Sequence, residues 1–389
     1  MVDDELLPPV DGHVDPAFEA VRATFHDSFR VHGETGAAVC VLVDGRVVVD
    51  LWGGHADPLA DVPWTGDTLV NVFSVGKGLV AALTAQLVGA GVLDLDRPVA
   101  ATWPEFAANG KGDVTLRQLL SHQAGLPAVH HRLPPGAMLD WSAMTAALAD
   151  DEPWWEPGSA HGYHVNTFGF LVGEVLRRAT GHRVGTLLRE QIAGPLGADV
   201  HLGLPSSEDH RTAEFLWPDP PPPEVTPPGL EGDERMRYLA YFNPSGLSGA
   251  GVVNTRAWRA AEIPSTNTHA SARGVARVYA ALLPATRRGG GPGLVDPGAR
   301  REATTEHAVG LDRVLDRPSR FGLGFQLTQP ERPLGPNPAA FGHFGAGGSL
   351  GFCDPDTGVA FGYVMARLGS RWRNERNAAL LDAVYASLG

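Results

Sequence analysis

Two apolar, β-branched runs, residues 37–43 and 47–52, flank Asp44-Gly45. Asp-Gly supplies the positive φ angles of a tight two-residue turn, so the pair reads as a β-hairpin. A short extended stretch, 68–73, leads into Ser74. From there Leu79, Val80, Leu83, Leu87 and Val88 recur at helical spacing until Gly89 and Gly91. Ser74 therefore opens a largely buried helix, and Lys77, three positions on, shares its face. Helical spacing returns at 115–121, 142–149, 167–180 and 184–192, with Gly181 as the cap of the third. Prolines at 218, 220–223, 227 and 228 forbid regular helix or a central strand. An exposed loop is expected at 218–228, with a lid over a binding site as the alternative. A helix over 271–283 precedes a glycine-rich turn. Extended segments follow at 321–327, 343–352 and 359–365, and a helix at 374–388 closes the chain. The pattern predicts an α/β (α+β) fold, with a mainly antiparallel sheet drawn from both termini and flanked by helices. Residues 1–90 plus 270–389 would form the sheet domain and 91–269 an inserted, mainly helical one.

Composition narrows the function. A formal charge of −13 over 389 residues disfavours nucleic acid as a partner. No uninterrupted apolar run reaches the roughly 18 residues of a membrane span. The acidic start lacks the basic and apolar regions of a secretory signal, so a cytoplasmic protein is expected. Cys40 and Cys353 sit inside hydrophobic runs and read as buried thiols. The histidines, including His130, His131, His161 and His164, lack zinc-site spacing, and no phosphate-cradling glycine motif occurs. Neither a metal nor an organic cofactor is expected. The partner would be a small molecule.

Two lysines, Lys77 and Lys111, stand among 31 basic residues, the rest being arginine. Arginine stays charged in a protein, whereas a buried lysine can be tuned to a neutral base. Lys77 lies in Phe73-Ser74-Val75-Gly76-Lys77-Gly78, a Ser-x-x-Lys pair at a helix N-terminus. The helix end favours a developing oxyanion, and desolvation would lower the Lys77 pKa. The bland alternative is a Ser N-cap with a surface lysine. Tyr163, in a Gly-rich loop ahead of a helix, is the candidate for carrying a proton to the leaving atom, and a neighbouring ammonium would favour its ionisation. His343-Phe344-Gly345-Ala346-Gly347-Gly348 offers a strand fit for a second oxyanion donor. Gly347-Gly348-Ser349-Leu350-Gly351 matches a G-x-S-x-G nucleophile elbow, but a second strand, not a helix, is expected after it. Trp154, Trp155, Trp217, Tyr241 and Phe242 are candidates for an apolar cleft or, equally, for core or surface positions.

Taken together, these residues resemble the class C β-lactamase-like, penicillin-binding serine hydrolases, and within them the family VIII carboxylesterases. The resemblance spans about residues 15–389 and includes residues 67–78 and 114–126, with Tyr163 and His343-Phe344-Gly345 at the second and third motifs. It implies Ser74 as nucleophile, Lys77 and Tyr163 as proton-transfer partners, and the backbone N–H groups of Ser74 and Ala346 as the oxyanion hole. His343, Phe344, Gly345 and His164 would contact substrate. Val165 replaces the usual Asn of the second motif, and His343-Phe344 the usual Lys-Thr of the third. Those groups hold a lactam amide and a drug carboxylate, so ester hydrolysis through an acyl-enzyme is favoured over penicillin chemistry. Acyl transfer to an alcohol or amine, weak β-lactamase or D-peptidase activity, and a catalytically dead binding module are the alternatives.

Overall fold

A computed structural model describes residues 8–217 and 229–389. The proline-rich stretch 218–228, with its expected loop or lid, lies outside the described residues. Thirteen strands are defined: β1 (Val10–Val14), β2 (Gly36–Val43), β3 (Arg46–Asp57), β4 (Val62–Pro63), β5 (Val70–Asn71), β6 (Val200–His201) and β7 (His269–Ala270), then β8 (Ala308–Asp312), β9 (Arg317–Phe321), β10 (Gln326–Leu327), β11 (Phe341–Phe344), β12 (Leu350–Asp354) and β13 (Val359–Met365). One large antiparallel sheet runs β1-β3-β2-β13-β12-β11-β10-β9-β8, with β4 paired to β3. A small sheet, β5-β7-β6, stands apart. The large sheet thus joins both ends of the chain, with β2 against β13 as the seam.

Both faces of this seam are covered, which is why β13 is apolar throughout rather than alternating. Gly362 faces the Ala272–Ala281 helix. Tyr363 points the other way, where its hydroxyl donates to Glu34 Oε2 (2.6 Å) beside Arg376 of the Glu375–Leu388 helix. That helix packs against Glu19–Val31. The hairpin turn forms as expected, with Asp44 at φ 48° and Gly45 at φ 79°. The Thr167–Thr180 helix also ends on Gly181 at φ 75°.

Two expectations change. Residues 321–327 are two strands rather than one, because the chain turns at Gly322-Leu323-Gly324. Residues 343–352 likewise break at Gly347 and Gly348, both at positive φ, into β11 and β12. Strands β1 and β8 and the Glu19–Val31 helix are further elements that the pattern did not mark. No helix among the described residues is long and apolar enough to cross a membrane.

Candidate active site

The nucleophile turn is built from the small sheet. Val72 N–H donates to Thr268 O (2.9 Å), extending the β5–β7 pairing by one residue. Phe73 then adopts φ 48°, a left-handed conformation unusual for a bulky residue. Its ring is pinned edge-on by Phe215 (4.8 Å between centroids) and Trp217 (6.2 Å), so packing sustains the strain. This kink sets Ser74 at the N-cap of the Val75–Gly89 helix, yet its hydroxyl caps nothing. It faces Lys77 Nζ at 3.0 Å instead.

Lys77 is fully buried and donates to the Ser265 carbonyl (3.0 Å). Burial pushes its pKa well below the ordinary lysine value, and no carboxylate opposes that shift. The neutral amine is therefore favoured. The surface-lysine alternative fails. Gly78, next in the chain, lets a neighbouring helix come close: a Cβ there would sit 2.1 Å from the Tyr279 hydroxyl.

Lys77 Nζ also lies 4.8 Å from the Tyr163 ring centroid. Tyr163 is enclosed, stacked on Phe321 (5.8 Å, 3°) and met edge-on by Trp372 (5.1 Å). Its hydroxyl has no hydrogen-bond partner among the described residues. Ser74 favours the phenolate without meeting full hydrogen-bond geometry. The expected easy ionisation of Tyr163 is not what the structure gives. Burial raises its pKa well above 10, and a neutral lysine supplies no compensating charge. Tyr163 is a neutral phenol.

Asp312, unmarked by any sequence motif, holds the tyrosine loop. Its buried carboxylate accepts the Tyr163 N–H (3.0 and 3.1 Å), the Val314 and Leu315 N–H groups (2.9 and 2.8 Å) and the Ser319 hydroxyl (2.9 Å). His122, at φ 62°, accepts the His164 N–H at Nδ1 (3.2 Å) and packs on the Tyr163 ring (5.1 Å). Ser265, through its carbonyl, is a third contributor that no spacing rule identifies.

The third-motif strand lies alongside. A Cβ on Gly345 would fall 2.4 Å from Val72 O and 2.1 Å from Ser349 Oγ, so only glycine lets β11 approach the segment before Ser74. Ser349 itself donates to Val72 O (3.0 Å) and is buried at a strand–strand turn. It is a tie, not a nucleophile elbow. Neither Ser74 nor Ala346 has a hydrogen-bond acceptor for its backbone N–H among the described residues. His343 Nδ1–H donates to Phe344 O (2.6 Å), leaving Nε2 a buried acceptor with no partner among the described residues. Burial holds its pKa at about 3, so the ring is neutral.

Two proposed substrate contacts are corrected. His164 is fully enclosed: Nδ1–H donates to Gly162 O (2.7 Å) and Nε2 accepts the Leu126 N–H (3.0 Å), which makes it scaffold. The Phe344 side chain lies in the main core. Of the candidate cleft aromatics, Trp217 packs on Phe73, Trp155 is buried against His164, and Trp154 stacks on His130. Tyr241 and Phe242 contact each other, and Tyr241 packs onto the cluster that contains Tyr163. A cavity of about 850 Å³ beside Trp103, Trp141 and Glu174 touches none of the site residues.

A model of the Beta-lactamase family matches residues 21–386. The chain belongs to the Beta-lactamase family. Its fold is β-lactamase/transpeptidase-like, and the protein is a serine hydrolase of that fold. It is 36% identical over 368 residues to the Mycobacterium tuberculosis esterase/beta-lactamase LipL, covering 92% of this chain and 83% of LipL. A crystal structure of a family VIII carboxylesterase superposes with a TM-score of 0.88 at 39% identity, over 97% of this chain and all of the other. A penicillin-binding protein homologue from Caulobacter crescentus gives 0.87 at 41%, again over 97% of this chain and all of its own.

Proposed function

We propose that this family member is a carboxylesterase that works through an acyl-enzyme on Ser74. The observation that carries the reading is a buried, carboxylate-free lysine amine 3.0 Å from a hydroxyl that is otherwise uncommitted. As Ser74 Oγ attacks the ester carbonyl, its proton passes to Lys77. The oxyanion is met by the N–H groups of Ser74 and Ala346, and removing one donor of this kind typically costs about 10²–10³ in kcat. Tyr163, neutral and unpartnered, gives its proton to the departing alkoxide and regains one from the Lys77 ammonium. Water then attacks the acyl-Ser74 ester while the same groups carry its proton in reverse. The esterase named among the relatives and the family VIII carboxylesterase neighbour support ester hydrolysis.

A p-nitrophenyl ester should give a stoichiometric burst, with the acyl mass on Ser74 in an acid-quenched sample. Ser74→Ala should abolish both. A burst that survives in Ser74→Ala would end the proposal. A second reading, residual β-lactamase activity, is favoured by the esterase/beta-lactamase relative. His343 is uncharged at neutral pH and cannot pair a lactam carboxylate as a lysine would. Nitrocefin turnover is accordingly expected to be slow beside ester hydrolysis.

A further inference from the structure

Two guanidinium groups lie on a single indole beside the tyrosine. Arg317 sits 5.1 Å and Arg332 5.8 Å from the Trp372 ring centroid, and that ring meets Tyr163 at 5.1 Å. Among the described residues neither arginine has a carboxylate within ion-pair distance, and Arg317 Nε is buried without an acceptor. Arg332 donates one bond to Pro318 O (2.8 Å). Three other arginines on these segments are paired, Arg313 with Asp233, Arg237 with Asp316 and Arg320 with Glu306, whereas Arg373, next to Trp372, also has a buried Nε without an acceptor among the described residues. The acids that act on Arg332 are Glu331 and Asp312. Asp312 already accepts three backbone N–H groups and a hydroxyl, and neither acid closes an ion pair. Partial burial and the charge of Arg317 pull the Arg332 pKa down to about 10. Two cations held together this way repel each other and lose hydration, a cost that a bound anion would offset. The planar guanidinium fork matches a carboxylate.

We propose that Arg317 and Arg332 form an anion subsite that receives a carboxylate on the alcohol half of the ester. The assignment to the alcohol half rests on the esterase reading, in which Tyr163 protonates the leaving oxygen. Trp372 meets the Tyr163 ring edge-on, and it is through this contact that the two guanidiniums are assigned to the leaving-group side. The subsite is separate from the third-motif strand, where His343 carries no charge.

The test compares para-acetoxybenzoate with its neutral counterpart para-acetoxybenzamide, taking the ratio of kcat/KM values within each enzyme. A ratio measured on one preparation is independent of how much of a variant is folded. The wild type should prefer the carboxylate, mainly through KM, and sodium chloride should erode that preference. Arg332→Gln and Arg317→Gln should each lower the ratio about tenfold, and Arg332→Lys should lower it less. Equal ratios in the wild type and both glutamine variants, or a wild-type preference for the amide, would overturn the subsite while leaving esterase activity intact. No turnover of either ester, and no acyl mass on Ser74, would instead overturn the esterase reading and the subsite with it.

Discussion

Lysine 77 can act as a base only because its surroundings deny it a charge. Arginine at this position would stay protonated, and its longer fork would have to fit a fully buried site. Lys77→Arg and Lys77→Ala should each reduce kcat by about 10³ or more while Ser74 stays in place. Because the working form is the neutral amine, activity falls as pH drops through the lowered pKa. The acid limb of kcat/KM should therefore have its midpoint far below the usual lysine range. A profile that keeps rising to the ordinary lysine pKa would show a solvated ammonium instead. Tyr163→Phe keeps the stack on Phe321 and removes only the proton donor, so kcat should fall about 10²-fold with little change in KM. At this scale the sequence was readable where chemistry restricts residue type. A rare lysine three residues after a serine is such a case. It was unreadable where role depends on enclosure: His164 and His343 look alike in a chain rich in histidine, yet of these two His343 is the one with a nitrogen unpartnered among the described residues.

Between elements, close approach depends on missing side chains. The Val75–Gly89 helix and the Ala272–Ala281 helix meet where Gly78 faces the Tyr279 hydroxyl, itself buried and without a hydrogen-bond partner among the described residues. Gly78→Ala places a Cβ where that oxygen sits. We expect a loss of about 2 kcal/mol, measured by urea denaturation. Tyr279→Phe removes the oxygen, leaving the nearest ring carbon 3.3 Å from the new Cβ. On its own it should be neutral or slightly stabilising, because it deletes an unsatisfied polar atom. In the double variant it should recover most of the Gly78→Ala loss. Additive losses would mean that the two positions do not meet. Elements carrying their own signal, such as the Asp44-Gly45 hairpin and the capped Thr167–Thr180 helix, could be read from the chain. The β8–β9 hairpin could not. Val309 and Leu311 are exposed, Gly310 interrupts the run, and Pro318 falls within β9. Its place at the sheet edge is set by long-range pairing rather than by local alternation.

Across the whole molecule, neutral histidines in the interior tie stability to pH. Burial is the main cause holding His164 at about 4 and His343 and His269 at about 3. An unfolded histidine titrates near 6.5. Between about 6.5 and 4 the unfolded chain therefore binds protons that the folded chain refuses, so the histidines' contribution to stability is full above that window and lost as pH falls through it. Each such histidine contributes about 1.4 kcal/mol per pH unit within the window, and the three share one sign. Glu34, Asp50 and Glu262, whose pKa values are raised chiefly by burial, oppose them. Asp199, held at about 2, adds to the acid loss only near and below the unfolded carboxylate value of about 3.9. The decline from pH 6.5 to 4.5 is thus carried by the histidines, with Lys77 acting in the same sense down to its own lowered pKa. Urea midpoints measured at intervals from pH 7.5 to 4.5 should fall steeply below about 6.5. His269→Gln, distant in role from the catalytic groups, should flatten the slope by about one proton. A midpoint that stays level down to pH 5 would mean these rings are charged or solvated in the folded state. The low-dielectric setting that keeps Lys77 a base would then be in doubt as well.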